Sequence, residues 1–395
     1  MNIILFDEPH IRTQLLPFTF TRPVAKIRIG ILTIAEKWGN RLNGKASFLT
    51  EDYLAEKFPI VTTKDNLLIN GSLCPDDKLV EAIKSLPNNT ALLKNGIRLA
   101  LRSDKFSVGD FDKVTQMEFG GDVVYIDQVW KIFQYNGAQL RLDYSLITSG
   151  RKSAGVTDKH TTTYNEQNIF VEEGVIIRAA VLNAENGPIY LGRNSVVQEG
   201  ALIKGPFALC EGSQVAMGGK MRGDSTIGPF CKVGGEVSNS VLFGYSNKAH
   251  DGFMGNTVVG EWCNLGADTN TSNLKNNYEN VKIWNYAKGG FSDTGLQFCG
   301  LMMGDHSKCG INTMFNTGTV IGVSANIFGD GFPRTFIPSF AWGGANGFST
   351  FQLNKAFDTA EKVMARRNII LDELDKQILK KIAELTAVNR VWEKK

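Results

Sequence analysis

The chain has 395 residues, a net charge of only +3 and 43% hydrophobic residues, a globular composition that excludes a disordered chain. It has no concentrated basic stripe and no run of about 18 apolar residues, so we expect neither nucleic-acid binding nor a membrane span. Its six cysteines form no C-x-x-C pair, and we interpret them as free thiols of a cytoplasmic protein. Glycine is uneven, with ten in residues 1–150, 31 in residues 151–350 and none afterwards. We therefore predict three regions, 1–150, 151–350 and 351–395.

The first region, residues 1–150, alternates between strand and helix patterns. The run NIILFD at residues 2–7 predicts a buried parallel strand, and residues 48–50 and 66–69 predict further strands. Residues 32–42 and 78–86 predict helices. This alternation is typical of an α/β sheet.

Three short motifs in this region resemble those of sugar-nucleotide nucleotidyltransferases. PFTFTRP at residues 17–23 is similar to their P-L-T-x-x-x-P segment, and LLINGS at residues 67–72 is similar to their L-V-x-N-G-D strand end. Asn136-Gly137 followed by Gln139-Leu140 is similar to a late element that supplies a metal ligand. The resemblance implies Asn136 as a metal ligand, UTP or dTTP as a substrate, and Mg²⁺ only if this site is active. It also implies a nucleotide-binding set of Arg12, Arg22, Lys26, Asn70 and Gly71.

The same region departs from that family in two places. The glycine-rich phosphate loop after the first strand is replaced by DEPHIRTQ, and Ser72 stands where the family has a metal-binding aspartate. A neutral hydroxyl is a poor Mg²⁺ ligand, although Asp76 or Asp77 could compensate. Arg12, Arg22, Lys26 and Arg28 could equally be solvated loop charges, so both interpretations stay open.

The middle region carries a six-residue repeat of apolar positions. Period six is neither helical nor a simple strand alternation, and it suits short strands separated by turns of about 120°. We predict a left-handed parallel β-helix built from three hexads per coil, and a β-sandwich is the alternative. The first run is Leu191, Val197, Ile203, Leu209, Val215, Met221, Ile227 and Val233; shorter runs are Val175 with Val181, Phe253 to Leu265, and Met303 to Ile327.

Residues 247–274, NKAHDGFMGNTVVGEWCNLGADTNTSNL, resemble the acetyltransferase half of the bacterial bifunctional enzymes that make UDP-N-acetylglucosamine. Lys248-Ala249-His250 is similar to their K-A-x-H box, and Asn264, Gly266-Ala267 and Asn273 follow in register. Phe291-Ser292-Asp293-Thr294 is similar to their G-S-D-T element. The sequence departs from the family at Asp268, which replaces a glycine, and at Phe253, which replaces a tyrosine.

This resemblance implies that His250 is the catalytic base and that acetyl-CoA is the cosubstrate. It implies a site for acetyl-CoA and a sugar phosphate that is lined by Asn264, Ala267, Asn273 and Ser292. The phosphate-binding cations do not align uniquely, and the candidates are Lys220, Arg222, Lys232 and Lys248. Such β-helices usually form trimers with the site between neighbouring subunits, so we expect a homotrimer.

The chemistry is consistent with a single histidine. N-acetylation needs a neutral amine that attacks an activated thioester, and a histidine is suited to accept the proton at neutral pH. An isolated histidine would more often be structural, and only its place in the motif favours catalysis. A zinc-dependent carbonic anhydrase is disfavoured, because only His250 and His306 lie well inside the repeat and such a site takes three histidines.

The glycine-free tail predicts helices from Phe351 onward, with Leu371, Leu374, Ile378, Ile382 and Leu385 on one face. We interpret it as a cap or packing element of the solenoid, and a coiled-coil trimer seam is the alternative.

Together these patterns predict an enzyme of amino-sugar nucleotide synthesis. It would transfer acetyl from acetyl-CoA to glucosamine-1-phosphate or a related amino sugar, with UTP-dependent nucleotidyl transfer as an additional activity. One alternative is a sugar-1-phosphate nucleotidyltransferase, uridylyl or thymidylyl, whose β-helix only drives oligomerisation. A second alternative is a binding or scaffold protein with neither activity.

Overall fold

We analysed a computed structural model, which describes residues 2–104 and 111–393. The chain forms two compact units. One consists of Met1–Ile27 and Leu32–Gln128, and the other consists of Arg28–Ile31 and Val129–Lys395.

The first unit is an α/β domain around a six-stranded sheet. Its elements are β1 (Asn2–Phe6), α1 (Pro9–Gln14), α2 (Ile34–Leu42), β2 (Ala46–Leu49), α3 (Asp52–Ala55), β3 (Asn66–Asn70), β4 (Leu73–Cys74), α4 (Asp77–Lys84), β5 (Thr90–Lys94), β6 (Ile97–Ser103), β7 (Thr115–Glu118) and β8 (Val124–Tyr125). The strand order in the sheet is β2-β1-β3-β6-β5-β7. Strand β1 runs parallel to β2 and β3, whereas β6 runs antiparallel to β3 and β5.

Local sequence explains these elements. The helix α2 begins with a capping box, in which the Thr33 hydroxyl accepts from the Glu36 backbone and the Glu36 carboxylate accepts from the Thr33 backbone. The Asp76 carboxylate caps α4 in the same way by accepting from the Leu79 backbone N–H. Strand β3 is buried along its whole length, as its apolar composition predicts. The expected strands and helices of this region are therefore confirmed to within a few residues.

The second unit is a parallel β-solenoid of about ten turns, of the left-handed β-helix type, so the predicted fold class is confirmed. In chain order its elements are α5 (Val129–Thr148), β9 (Thr162–Tyr164), β10 (Ile169–Val171), β11 (Ile176–Ile177), β12 (Val181–Asn183), β13 (Ile189–Leu191), β14 (Val196–Val197), β15 (Leu202–Lys204), β16 (Phe207–Leu209), β17 (Gln214–Val215), β18 (Lys220–Arg222), β19 (Ser225–Ile227), β20 (Lys232–Val233), β21 (Glu236–Ser238), β22 (Val241–Gly244), β23 (Asn247–Lys248), β24 (Phe253–Gly255), β25 (Val258–Glu261), β26 (Asn264–Leu265), β27 (Asn270–Thr271), β28 (Lys282–Asn285), β29 (Gly290–Asp293), β30 (Met302–Met303), β31 (Lys308–Cys309), β32 (Met314–Phe315), β33 (Val320–Ile321), β34 (Asn326–Ile327), β35 (Phe336–Ile337), β36 (Ala341–Gly344), β37 (Gly347–Thr350), α6 (Leu353–Ala365) and α7 (Glu373–Thr386).

Three sheets form the sides of the solenoid. The first sheet has the order β10-β13-β16-β19-β22-β25-β30-β33-β35, and the second has the order β11-β14-β17-β20-β23-β26-β31-β34-β36-β37. The third has the order β32-β27-β24-β21-β18-β15-β12-β9. From β9 to β32, each coil contributes one short strand to each sheet, and neighbouring coils pair along all three sides; the coils after β32 add strands only to the first two sheets. The backbone hydrogen bonds of a coil are thus satisfied by its neighbours.

The hexad run from Leu191 to Val233 points into the solenoid, and all eight side chains are at most 2% exposed. The predicted step fails after Val233, because the corner that follows it contains only Gly234 and Gly235. The next inward residue is therefore Val237, four positions after Val233 instead of six. Another short step, of five residues, separates the inward residues Met254 and Val259, so Phe253 lies half-buried on the outer side.

The earlier prediction for Val181 is wrong in the same way. Val181 is only partly buried, and its neighbour Leu182 is the fully buried residue of strand β12. The six-residue step cannot be extended from Leu191 back to Val181, because the turn between them does not have the regular length. Thus the repeat identifies the fold, whereas each coil's exact length decides which residue enters the core.

One long excursion interrupts the coils between β27 and β30. It contains the antiparallel hairpin β28–β29, in which Trp284 pairs with Phe291. After the last coil, α6 and α7 follow, and the predicted helical tail is confirmed. Ile378 and Ile382 are buried as expected, but Leu385 is 48% exposed and Leu379 is buried in its place.

All six cysteines are buried and none forms a disulfide. Among the described residues, no helix combines the length and the apolar character that crossing a membrane would require.

Candidate functional site

A cavity of about 710 Å³ lies on the outer side of the second solenoid sheet. Four consecutive strands of this sheet, β20, β23, β26 and β31, form its floor. It is lined by Lys232, Tyr245, Asn247, Ala249, His250, Trp262, Cys263, Asn264, Leu265, Gly266, Ala267, Lys308, Ile311, Thr359, Val363, Arg366 and Arg367.

The floor presents a ladder of polar side chains at equivalent positions of these strands. Lys232 pairs with Asn247, Asn247 with Asn264, and Asn264 with Lys308. Because each two-residue strand buries its second residue, the first residue faces outward. Neighbouring rungs are about 4.8 Å apart, so a ligand that lies along the solenoid axis would meet several of them.

One edge of the cavity is a stack of aromatic rings from successive corners. The ring centroids of Phe230 and Tyr245 are 5.2 Å apart, and those of Tyr245 and Trp262 are 4.2 Å apart. His306 continues the stack beyond Trp262 at 6.4 Å. All four residues have a positive φ of 54° to 62°, which is unusual for bulky side chains. Face-to-face contact between coils helps to offset that backbone cost.

A further wall of the cavity comes from the C-terminal tail. Thr359 and Val363 lie on α6, and Arg366 and Arg367 follow its last turn. The Arg367 guanidinium donates to the backbone carbonyl of Phe230 at 3.0 Å, which ties the tail to the aromatic stack. Arg366 is exposed. The tail is therefore a wall of the cavity as well as a packing element.

His250 lies at the corner between β23 and β24, where its side chain is exposed and lines the cavity. Lys248, two residues earlier, points in the opposite direction. It is 1% exposed and its ammonium group donates to the carbonyls of His250 at 2.7 Å and Asp251 at 2.9 Å. Burial lowers the pKa of Lys248 to about 8, although the carboxylates of Asp251 and Asp268 act in the opposite direction.

The lining of the cavity is basic. It includes Lys232, Lys308, Arg366 and Arg367 together with His250, and no aspartate or glutamate is among the described residues that line it. Burial lowers the pKa of Lys308 to about 8, and its ammonium group donates to the carbonyl of His306 at 2.8 Å. Such a surface attracts an anionic ligand, and phosphate groups are the anions that lysine and arginine bind most readily.

The structure brings together four of the residues that the motif implied, namely Lys232, His250, Asn264 and Ala267. Asn273 lies on the third-sheet side of the coil, where its amide donates to Asn256 at 2.8 Å. Ser292 is in the hairpin of the excursion, opposite Ile283. Neither residue lines this cavity, and the buried ammonium of Lys248 has no access to it.

The alternative phosphate candidates Lys220 and Arg222 lie on the third sheet, where Arg222 forms an ion pair with Glu236 at 2.8 Å. Sequence reasoning missed Lys308, Arg366 and Arg367. The strand register could have revealed Lys308, because it occupies the same outward position as Lys232 and Asn264. No local signal places the two arginines beside His250, since more than 100 residues separate them in the chain.

In the first unit, a ligand would be expected at the carboxyl ends of β1 and β3, where the strand order changes direction. Side chains of the unit itself fill this place. The buried Arg12 guanidinium pairs with Asp7 at 3.0 Å and donates to the Tyr53 hydroxyl at 3.0 Å. Asp7 also accepts from the Val24 backbone at 2.8 Å and from the Thr50 hydroxyl.

Burial raises the pKa of Asp7, and the neighbouring Arg12 partly counters this effect. The pair is thus an internal ion pair in the place where the family carries its phosphate loop.

The other predicted nucleotide-binding residues have different surroundings. Arg22 is buried, and Lys26 lies half-buried with its ammonium 5.6 Å from the centre of the Phe48 ring. The Asn70 side chain accepts from the hydroxyl of Ser72 and donates to the carbonyl of Arg98. The Gly71 backbone donates to the carbonyl of Phe6 at 2.8 Å.

These residues do not fit a magnesium ion. Ser72 replaces a carboxylate and is hydrogen-bonded to Asn70, and Asp76 is used as the cap of α4. Asp77 is exposed and pairs with Arg41. Among the described residues, no group of three histidines, cysteines or carboxylates is arranged to hold a metal.

Asn136, the predicted metal ligand, lies on α5 in the second unit. Its amide donates to the carbonyl of Asp224 at 2.9 Å and to the hydroxyl of Thr226 at 3.0 Å, and its oxygen accepts from the Gly30 backbone at 2.7 Å. Fully buried, it fastens α5 to the solenoid.

Comparisons with known proteins agree with the resemblances seen in the motifs. Residues 3–152 match the family described as sugar nucleotidyl transferase. The bifunctional protein GlmU of Methanocaldococcus jannaschii is 26% identical over 263 residues, which are 66% of this chain and 55% of that protein. The bifunctional sugar-1-phosphate nucleotidylyltransferase/acetyltransferase of Sulfurisphaera tokodaii is 33% identical over 93 residues, which are 24% of this chain and 23% of that protein.

The chain therefore spans about half the length, or less, of these curated relatives. Among solved structures, that of a mutant of GDP-perosamine N-acetyl transferase from Caulobacter crescentus, in complex with CoA and GDP-perosamine, is 9% identical. The match covers 83% of this chain and 94% of that one, with a TM-score of 0.14. A TM-score this low supports no inference about fold or function. The predicted resemblance to sugar nucleotidyltransferases and to the bifunctional nucleotidyltransferase/acetyltransferase enzymes is confirmed at low identity.

Proposed function

We propose that the protein transfers an acetyl group from acetyl-CoA to the amine of glucosamine-1-phosphate or a related amino-sugar phosphate. The observation that carries the proposal is the joint position of His250 and four cationic side chains in one carboxylate-free cavity. Both substrates bear phosphate groups, so a basic cavity suits them. The similarity to bifunctional acetyltransferases supports the same reaction.

In this reaction the sugar amine forms a new N–C bond to the acetyl carbonyl, and the C–S bond to CoA breaks. The His250 imidazole accepts the proton that the attacking amine loses, and the CoA sulfur leaves as a thiolate that takes up a proton. No covalent enzyme intermediate is needed, because the thioester is already activated. Lys232, Lys308, Arg366 and Arg367 would hold the phosphate groups, and Asn247 and Asn264 offer hydrogen-bonding side chains between them.

We also propose a homotrimer, as expected from the motif. Asn273 and Ser292 lie outside the cavity of their own chain, so they can take part in the reaction only if a neighbouring copy supplies them. Light scattering on the purified protein should give three times the chain mass of 43.5 kDa. A monomer would exclude this arrangement. The six buried free thiols favour a reducing compartment, and we place the protein in the cytoplasm.

The second candidate function is nucleotidyl transfer by the first unit, with UTP or dTTP as the nucleotide. The family match over residues 3–152 favours it, and the filled place at the ends of β1 and β3 opposes it. Because the described residues do not fit Mg²⁺, no step of this reaction is assigned to them.

One assay separates the two functions. Purified protein is incubated with acetyl-CoA, a panel of amino-sugar phosphates, and UTP or dTTP with Mg²⁺, and the release of CoA and of pyrophosphate is read separately. We expect CoA release with glucosamine-1-phosphate or a related sugar, and its loss in His250→Ala. Pyrophosphate release without any CoA release would favour the second function. If neither CoA nor pyrophosphate is released, a binding or scaffold role remains.

A further inference from the structure

Lys248 occupies a position that the solenoid normally gives to an aliphatic side chain. It is the second residue of β23 and pairs with Val233 of the preceding coil. The corresponding residue of the next coil is Leu265, and both neighbours are at most 2% exposed. A lysine at this inward position is costly, because burial disfavours its charged form and lowers its pKa to about 8. Such a cost suggests a specific role.

The corner after Lys248 differs from three corresponding corners of the solenoid. In those three a backbone hydrogen bond closes the turn, from Ala201 to Gln198 at 3.3 Å, from Gly219 to Ala216 at 3.0 Å and from Thr269 to Gly266 at 3.3 Å. In the corner from Gly310 to Thr313 a side chain takes over, because the Thr313 hydroxyl donates to the Gly310 carbonyl at 2.9 Å. No equivalent bond joins Gly252 to Ala249 in the described structure.

The Lys248 ammonium group supplies the missing restraint. It donates to the carbonyl of His250 at 2.7 Å and to that of Asp251 at 2.9 Å. The Asp251 carbonyl also accepts a hydrogen bond from the Asp268 backbone at 3.1 Å. For the His250 carbonyl, Lys248 is the one donor found among the described contacts. An apolar residue in place of Lys248 would leave that carbonyl unpaired inside the solenoid.

We propose that Lys248 is a positioning residue, which holds the backbone of His250 so that its imidazole projects into the cavity at the place of reaction. The inference rests on the proposed acetyl transfer, and it concerns a side chain that cannot touch the substrates. Because small misplacements of a reacting group reduce rates strongly, loss of this restraint should lower kcat more than it weakens substrate binding.

The test compares Lys248→Met, which keeps an unbranched apolar stem and removes the donors, with Leu242→Met. Leu242 is an inward residue of the same coil, and its replacement by methionine removes no hydrogen bond. We expect Lys248→Met to lower kcat about tenfold with little change in the KM for acetyl-CoA, and Leu242→Met to leave both unchanged. Circular dichroism and light scattering check that each variant retains its fold and assembly.

A double variant distinguishes positioning from a general structural effect. In the His250→Ala background, adding Lys248→Met should change the residual rate less than twofold, because there is no imidazole left to position. An equal loss in both backgrounds, or an unchanged kcat in Lys248→Met, would overturn the inference. If Lys248→Met does not fold, Lys248→Gln replaces it, because glutamine keeps N–H donors on a shorter side chain. This variant is then compared in the wild-type background and in the His250→Ala background.

The outcomes also separate this inference from the proposed function. Full activity of His250→Ala would overturn the function itself. An inactive His250→Ala beside a fully active Lys248→Met would overturn only the role of Lys248.

Discussion

The two places where the motifs predicted a site differ in how their charged groups are used. At the ends of β1 and β3, Arg12 and Asp7 are buried and satisfy each other. In the solenoid cavity, the cations Lys232 and Arg366 are exposed and no carboxylate lines the surface beside them. A charge that is already paired inside the chain stabilises the fold, whereas a charge that faces an open cavity remains available to a ligand.

This difference teaches that a similar sequence does not imply an equally preserved site. Most of the family match over residues 3–152 lies in the first unit, yet the side chains of Arg12 and Tyr53 occupy the predicted ligand position of that unit. The second unit keeps an open cavity of about 710 Å³ around the motif histidine. Variants in the two places should therefore have effects of different kinds.

The strongest test of the cavity is His250→Ala. We expect kcat for acetyl transfer to fall by about 10² to 10⁴, the usual contribution of a general base, without a change in thermal stability, because the side chain is exposed. The matched control is His160→Ala, which removes an exposed histidine that does not line the cavity. If both variants keep the wild-type rate of CoA release, the cavity is not the place of this chemistry.

In the first unit, the corresponding test is Arg12→Ala. Removing one partner of a buried ion pair leaves Asp7 without its countercharge, so we expect the free energy of unfolding to fall by about 3–5 kcal/mol. Urea unfolding, with hydrogen exchange of β1 and β3, measures it. The control Arg41→Ala breaks a pair with the exposed Asp77 and should cost less than about 1 kcal/mol. Equal effects of the two variants would contradict the structural role of the buried pair.

The interior lysine of the solenoid predicts a pH dependence of stability. The pKa of Lys248 falls from 10.5 to about 8 in the folded protein, so between these values the unfolded chain binds more protons and stability rises with pH. This contribution is complete above pH 10.5 and is lost as the pH falls to about 8. Relative to Lys248→Met, the wild type should gain up to about 3 kcal/mol over this window.

Thermal unfolding of both proteins at pH 7.5 and pH 10.5 measures that gain. Because Lys308 is present in both proteins, its own titration cancels in the difference. If the stability difference between the wild type and Lys248→Met is the same at both pH values, the pKa of Lys248 is not lowered by burial.

The smallest expected effect concerns the wall of the cavity. Arg366→Ala should raise the KM for acetyl-CoA about tenfold with little change in kcat, because one charge-assisted contact to a phosphate group is lost. Lys362→Ala is the control, since Lys362 lies on α6, which ends directly before Arg366, and pairs with Asp358. A KM that changes equally in both variants would indicate a general charge effect of the tail.

The regular part of the solenoid could be predicted from sequence because its period is local. Each coil contacts only the coils beside it, so an apolar residue every six positions is enough to specify an inward stack, as Leu191 and Val233 show. The prediction failed where a corner changed length. At Gly234 and Gly235 the corner is shorter, so Val237 follows Val233 after four residues, and a step of five between Met254 and Val259 leaves Phe253 on the outer side.

Part of the candidate site in the solenoid could also be predicted from local sequence spacing. His250 lies in the corner after β23 and Asn264 begins β26, the paired strand of the next coil, so their spacing in the sequence reflects their spacing in space. Arg366 and Arg367 reach the same cavity through the fold of the tail, which leaves no periodic signal. The motif also implied that Lys248 contacts a ligand, and only the hydrogen bonds of its ammonium group to backbone carbonyls show that the side chain turns inward.

By itself the sequence determined the α/β region, the solenoid, the helical tail and the histidine of the candidate site, because short periods and contiguous motifs encode them. Only the tertiary structure decided how the charged side chains are used. It paired Arg12 with Asp7, placed Lys248 behind His250, and brought the arginines of the tail to the cavity. Charge pairing depends on distances between residues far apart in the chain, and no local pattern specifies those distances.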